Sequence, residues 1–391
     1  AKGKTYQTLP LYNNLKTKGN YIYATDFDIR GKSATITDEG EVRNEDADKD
    51  VTLEVNVVEM VDPNKDSTDA DADHTKQPYL RYSFKSDATS VKTAKDTGAD
   101  SHFMTTVPDD AYDDNPAATS TETVDVTKIV ASAKCEDMKF WSPDSPNLYD
   151  VYTVLKDSEG NVLDVQKTTT GFRKVEYDIN DGGLKINDQP VWLTGYAQRS
   201  TNEWAVIGVA NDWLQDLDMQ WIKESNSNFI RWMHVAPKPS QIRSGDKYGV
   251  VSACPAGDKE ADVNGRSWDQ RVEAMRDAMI YFRNSPSVIF WETGNNAVTA
   301  AHQQEMTDLK NILDPNGERF CGCRTISSTD QIQAADYVGT MLNRHASNAK
   351  ASMAAIKKYV PIMETEYARE EAPRRVWDDF SPPDYDYRNK W

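Results

Sequence analysis

Near residue 175 the hydrophobic rhythm of this chain changes period, and that change constrains its fold more than any other feature of the sequence. Upstream, apolar and polar residues alternate over short runs rich in Val, Thr and Tyr, at 21–27, 51–58, 79–84 and 149–155. Successive side chains of a strand point to opposite faces, so Val51-Thr52-Leu53-Glu54-Val55 reads as a strand with one face buried. Several such runs in succession predict an antiparallel sandwich. Asp157-Ser-Glu-Gly160 is suitable for a hairpin turn between runs 151–155 and 162–165. Stretches 62–77 and 85–120, rich in Asp, Thr, Ser, Lys and Ala, read as long solvated loops.

Downstream, strand-like runs at 191–197, 229–234, 249–254, 288–292, 319–324, 337–342 and 361–367 are separated by helical stretches at 212–225, 268–283, 300–312 and 346–358. Strands alternating with helices of this length fold as βαβ units around a parallel sheet. Seven units predict a (β/α)8 TIM barrel lacking its last strand. Such a sheet leaves two open edges, so the parent protein is expected to continue beyond Trp391.

With 391 residues, of which 38% are hydrophobic and 28% charged, the chain is globular in composition and long enough for at least two cores. A net charge of −18 disfavours nucleic acid and anionic membranes as partners. No apolar run approaches the roughly 18 to 20 residues that span a bilayer, and residues 1–20 carry no signal-type apolar stretch. Cys135, Cys254, Cys321 and Cys323 fit neither a dense disulfide framework nor a zinc-binding spacing, so buried free thiols are expected and no metal site is assigned to them.

More specific patterns follow one another in order. Trp141-Ser-Pro-Asp-Ser-Pro-Asn-Leu-Tyr149, Thr170-Gly-Phe-Arg-Lys-Val-Glu176 and Leu184-Lys-Ile-Asn-Asp-Gln-Pro-Val-Trp-Leu-Thr-Gly195 resemble the junction between the immunoglobulin-like domain and the catalytic barrel of glycoside hydrolase family 2. Asn228-Phe-Ile-Arg231-Trp-Met-His234 resembles that family's second barrel strand, and Asp246-Lys-Tyr-Gly249 the turn from a helix into its third strand. Arg283-Asn-Ser-Pro-Ser-Val-Ile-Phe-Trp291-Glu-Thr-Gly-Asn295 is similar to the approach to the catalytic fourth strand, and Met363-Glu-Thr-Glu366-Tyr367 to the seventh. The resemblance implies a multidomain chain. Residues 1–13 would be the tail of an absent N-terminal jelly-roll domain, 14–175 an immunoglobulin-like β-sandwich, and 176–391 the incomplete TIM barrel of the α/β class.

It also implies a retaining exo-glycosidase acting on a terminal β-linked, β-galactoside-like sugar. Glu366, at the C-terminal end of its strand, would attack the anomeric carbon, its carboxylate kept ionised by Arg231. Glu364, two residues earlier on the same face, would be a supporting acid or ion-pair partner. Asn295 would hydrogen-bond the sugar 2-hydroxyl, and His234 a sugar hydroxyl; Trp291, Trp232 and Tyr367 flank these positions and have rings suited to stacking on a sugar. The run Arg369–Arg375 is suited either to an anionic sugar substituent or to pairing with its own glutamates. No cofactor is implied. A carbohydrate is the expected partner, homo-oligomerisation is left open, and an extracytoplasmic bacterial location is the expectation.

One position departs from the family pattern. Asn296 stands where the acid/base Glu is expected, and an amide has no proton to give at a useful pKa. Family members also bind Mg²⁺ or Na⁺ close by, but one usual ligand is that missing Glu, so no metal is carried over. Glu292 lies four residues earlier on the same face, about 13 Å deeper, which leaves His234, His345, Asp258 and Glu260 as candidates for a relocated acid. Three explanations stand side by side: an enzyme with a relocated acid or with leaving groups that need little protonation, a non-hydrolytic carbohydrate-binding descendant, and an introduced substitution or sequence error.

Overall fold

A computed structural model of the chain describes residues 3–11, 17–60, 79–94, 125–178, 180, 183–199, 211–257, 261–324, 329–340 and 360–365. Its first part is a two-sheet antiparallel sandwich. One sheet joins β1 (Thr5–Gln7), β2 (Tyr21–Asp28), β3 (Ser33–Asn44) and β7 (Thr127–Cys135), with β3 in the middle. The other runs β11 (Val162–Thr170), β10 (Tyr149–Asp157), β4 (Lys49–Glu59), β5 (Tyr79–Lys85), with β6 (Thr89–Val91) also on β4.

The alternation seen in the sequence decides which face is inward. In β4, Val51, Leu53, Val55 and Val57 are all buried between the sheets with Ile36, Ile129, Val151 and Leu155, while Thr52, Glu54 and Asn56 are only partly covered. Two expectations change here. Thr5–Gln7 pairs with Val42–Asn44, so the segment read as the tail of a missing domain contributes a sandwich strand. Thr89–Val91, placed in a solvated loop, pairs with Lys49–Val51, because Val91 supplies one more buried apolar side chain.

A short hairpin sheet of β12 (Val175–Asp178), β13 (Gly183–Ile186) and β14 (Gln189–Pro190) follows, and a two-strand bridge of β8 (Trp141–Ser142) and β9 (Ser145–Pro146) lies beside the junction. The second part is a seven-stranded parallel sheet in sequential order: β15 (Gly195–Arg199), β16 (Phe229–Met233), β17 (Val251–Pro255), β18 (Val288–Glu292), β19 (Phe320–Cys323), β20 (Tyr337–Thr340) and β21 (Ile362–Glu364). Helices α1 (Asp212–Glu224), α2 (Pro239–Tyr248), α3 (Arg266–Phe282), α4 (Ala300–Leu313) and α5 (Thr329–Ala334) connect them. This is the expected incomplete TIM barrel. The first strand starts later than its apolar run, because Val191 and Leu193 belong to the cluster packed with the hairpin sheet. Helix α2 ends at the helix-to-strand turn expected at Asp246–Gly249, α5 was not read from the sequence, and the helix expected at 346–358 lies outside the described residues.

Period-two alternation sorts the barrel side chains into two layers. Ile230, Trp232, Cys254, Trp291, Cys321 and Cys323 form a core with α1 to α4, whereas Phe229, Ala253, Phe290 and Tyr337 face the barrel axis. Val175 and Ile186 of the hairpin sheet join that axial cluster at the N-terminal ends of the strands, so the barrel is plugged at that end. All four cysteines are free and buried, and burial pushes the Cys321 thiol up to about 12. No described helix is long and apolar enough to cross a membrane.

Several motifs that carry the family resemblance serve the junction between sandwich and barrel. Trp141 is fully buried and its Nε1 donates to the Asp246 carbonyl at 2.8 Å. Gly249 ends α2 at φ 73°, and a Cβ there would lie 2.3 Å from the Pro143 carbonyl oxygen, so glycine is required on both grounds. Arg173 donates to the carbonyls of Pro286 at 2.6 Å, Val288 at 3.0 Å and Gly317 at 3.2 Å, tying the end of the sandwich to the base of the barrel. A cavity of about 30 Å³ lined by Arg173, Arg283 and Arg319 lies in this junction, away from the C-terminal ends of the strands.

Candidate active site

Strands β16 and β18 have one strand between them in the sheet, and their inward side chains meet near their C-terminal ends. Arg231 donates to Glu292 through Nε and Nη2, both at 2.6 Å, and Nη2 also donates to Asn295 Oδ1 at 3.0 Å. Arg231 and Glu292 are each only 1% exposed, so this two-point ion pair is fully desolvated and its planar geometry matters. Because Asn295 gives its oxygen to Arg231, its amide NH2 is the branch left to meet a ligand, which suits donation to a sugar hydroxyl oxygen.

The next residue is held separately. Arg324, just past β19, donates from Nη2 to Asn296 Oδ1 at 2.8 Å and from Nε to the Asn295 carbonyl. Cys323 Sγ donates to the Asn296 carbonyl at 2.8 Å and lies 3.2 Å from that of Gly294. The loop after β18 is therefore pinned from below by β16 and from the side by β19. Its far side is braced at the start of α4, where Asp262 accepts from Thr299 N at 3.0 Å and contacts His302 Nδ1 at 2.9 Å; the His302 ring stacks on Trp268 at 3.8 Å.

The structure brings together Arg231, Asn295 and Asn296 of the residues singled out from sequence. His234 follows β16, 6% exposed, after a cis peptide from Met233. Glu364 ends β21, and Thr365 continues onto Thr340 through its backbone N–H at 3.1 Å. Glu366, Tyr367, His345, Asp258, Glu260 and residues 369–375 lie outside the described residues.

One expectation is corrected. Trp291 and Trp232 have rings suited to stacking on a sugar, but both are fully buried in the layer between sheet and helices. The reason is strand parity: each is adjacent to an inward charged residue, Glu292 or Arg231, and must point the other way. Among the described residues Arg231 pairs with Glu292, the carboxylate set aside as too deep to serve as the acid, while the expected effect of Arg231 on Glu366 lies outside the described residues.

Sequence reasoning missed Arg324, Cys323 and Tyr337. Tyr337 is fully buried on the axial side, and its hydroxyl has no hydrogen-bond partner among the described residues. An arginine at the C-terminal end of a barrel strand was a usable signal for Arg324, since chemistry in this fold collects at that end. Nothing in a buried cysteine or a Tyr within an apolar run marks the other two.

Comparison with known proteins agrees with this geometry. Residues 21–173 match the model of glycosyl hydrolases family 2, and residues 177–375 match the TIM barrel domain of the same family. A β-glucuronidase from Formosa agariphila is 32% identical over 386 residues, covering 98% of this chain and 33% of the relative. A β-galactosidase from Photobacterium profundum is 27% identical over 186 residues, covering 45% of this chain and 18% of its own length. Among solved structures, a family 2 β-glucuronidase superposes with a TM-score of 0.72 at 27% identity, over 97% of this chain and 34% of that one. The chain thus spans about a third of the length of these β-glucuronidase relatives. With both domain models matched in order and a relative aligned from end to end, the chain belongs to glycoside hydrolase family 2.

Proposed function

We propose that the protein containing this chain is a retaining exo-acting β-glycosidase whose nucleophile is Glu366. The observation that carries this reading is the buried Arg231–Glu292–Asn295 network at the C-terminal ends of β16 and β18, where a barrel enzyme places its chemistry. Glu366 follows the last described residue of the β21 segment by one position, in the sequence context of the family's nucleophile.

In this reading the Glu366 carboxylate attacks the anomeric carbon while the bond to the leaving oxygen breaks, giving a glycosyl-enzyme that water then hydrolyses. Asn295 donates its NH2 to the 2-hydroxyl, a contact that strengthens as positive charge develops at the ring. Arg231 holds Asn295 in that orientation, and Glu292 keeps Arg231 in plane. With Asn296 at the acid/base position, aglycones that leave without a proton are the preferred substrates. The sugar is a terminal β-linked unit; a glucuronide is favoured over a galactoside because the relative spanning the whole chain is a β-glucuronidase.

The test uses full-length protein with nitrophenyl β-glucuronide and nitrophenyl β-galactoside. Turnover by wild type that falls at least about a thousandfold in Glu366→Gln is expected, since removal of a nucleophile forfeits the covalent route. No turnover, or equal turnover in both proteins, refutes it. Asn296 supports a second reading, a carbohydrate-binding descendant without hydrolysis. Saturable calorimetric binding of a β-glycoside with no product released favours that one.

A further inference from the structure

The contacts of Arg324 explain more than how a loop is fixed. Arginine has donors and no acceptor, so the Asn296 atom it meets at 2.8 Å is the amide oxygen. Arg324 is buried and also holds the neighbouring Asn295 carbonyl, while Asn296 is only partly covered. Cys323 anchors the Asn296 main chain from the same strand. Both the backbone and one branch of the side chain are thereby immobilised, and the Asn296 NH2 makes no hydrogen bond among the described residues.

We propose that Arg324 is a positioning residue that turns the Asn296 oxygen to itself and presents the NH2 to the glycosidic leaving oxygen. This rests on the function proposed above. The amide then donates a hydrogen bond to charge building on the leaving oxygen but transfers no proton, so the site selects aglycones that depart as stable anions. Arg324 has a second consequence. A carboxyl placed at 296 would meet the guanidinium at ion-pair distance and be held in its ionised form, and an ionised carboxylate is not an acid. Position 296 is therefore not convertible to a general acid by one substitution; Arg324 must change as well.

The test is Asn296→Glu in full-length protein, alone and combined with Arg324→Gln or Arg324→Lys. The first readout is the pH dependence of kcat/KM on a methyl β-glycoside, whose departure needs an acid. A general acid must be protonated, so its pKa sets the descending limb. The limb is expected below about 4.3, the ordinary Glu value, in Asn296→Glu and in the Arg324→Lys combination. With Arg324→Gln it should rise by about 1 to 3 pH units.

The second readout needs no turnover. A carboxyl with a depressed folded-state pKa contributes stability above its unfolded pKa and loses it as pH falls. The melting temperature of Asn296→Glu relative to wild type should therefore climb from about pH 2 to about pH 5 and stay level above it, and Arg324→Gln should abolish the climb. A descending limb near neutrality in the single variant, or no climb, overturns the inference. Should the combined variant fail to fold, those two results from Asn296→Glu alone decide it. If Glu366→Gln leaves aryl glycoside turnover intact, the nucleophile assignment fails, and the melting data still judge Arg324.

Discussion

Glu292→Gln is the substitution that most directly probes how the site is built. Wild type buries a guanidinium and a carboxylate, each 1% exposed, joined by two hydrogen bonds of 2.6 Å. Burying the pair is not itself a large source of stability, because desolvation offsets the attraction between the charges. Removing one partner is different: the guanidinium loses its two-point carboxylate partner in the barrel interior, and breaking a buried pair in this way costs about 3–5 kcal/mol. Gln keeps the volume and one acceptor, so we expect the lower end of that range. Replacing both partners, as in Arg231→Met with Glu292→Leu, removes the buried charge and should restore stability to within about 1 kcal/mol of wild type. Turnover should stay lost in the double variant, because Asn295 has no donor to orient it. The cycle is measured by urea unfolding of the full-length protein followed through tryptophan fluorescence, with the barrel transition fitted separately from other domains. A loss below about 1 kcal/mol in Glu292→Gln, or costs that simply add in the double variant, would refute the reasoning.

Three further outcomes follow from buried groups elsewhere. Asp38 is fully buried in β3 with neither oxygen hydrogen-bonded among the described residues, and burial pushes its carboxyl up to about 8. A carboxyl with a raised folded-state pKa favours the fold at low pH, and that stability is lost as pH rises from about 4 towards 8, by at most about 1.4 kcal/mol per pH unit. Asp38→Asn should therefore melt higher than wild type at pH 8, with the gap closing by pH 5. Trp291→Ala should cost about 3–5 kcal/mol as a core truncation yet leave KM for an aryl glycoside unchanged. Trp291→Phe should be much milder, since the indole N–H has no partner among the described residues. Arg173→Lys gives up the forked contacts to Pro286, Val288 and Gly317, and each charge-assisted bond lost costs about 1.5–3 kcal/mol. Calorimetry should show the sandwich and barrel transitions separating.

The sequence alone determined the two-part architecture, because periodicity is a local property. The inward face of Val51–Val57 and the succession of parallel strands follow from side-chain alternation and strand–helix rhythm, without knowing what packs against what. Parity also held the clue that Trp291 and Glu292 cannot face the same side, which settles a ring placement that aromatic composition left open. The extent of α2 and the existence of α5 were not legible for the opposite reason. Their sequences, PSQIRSGDKY and TDQIQA, carry too few apolar residues to announce a period, and α2 is framed instead by Pro239 and Gly249.

Only the tertiary structure shows what holds position 296. In the sequence Asn296 is a mismatch to a family pattern, and strand arithmetic sets Glu292 aside as too deep. Folding joins Arg231 to Glu292 across 61 residues and Arg324 to Asn296 across 28, distances at which local pattern carries no information about partners. Whether an amide is a defect or a fixed donor depends on which of its branches is occupied, and the neighbour that occupies it comes from another strand of the barrel.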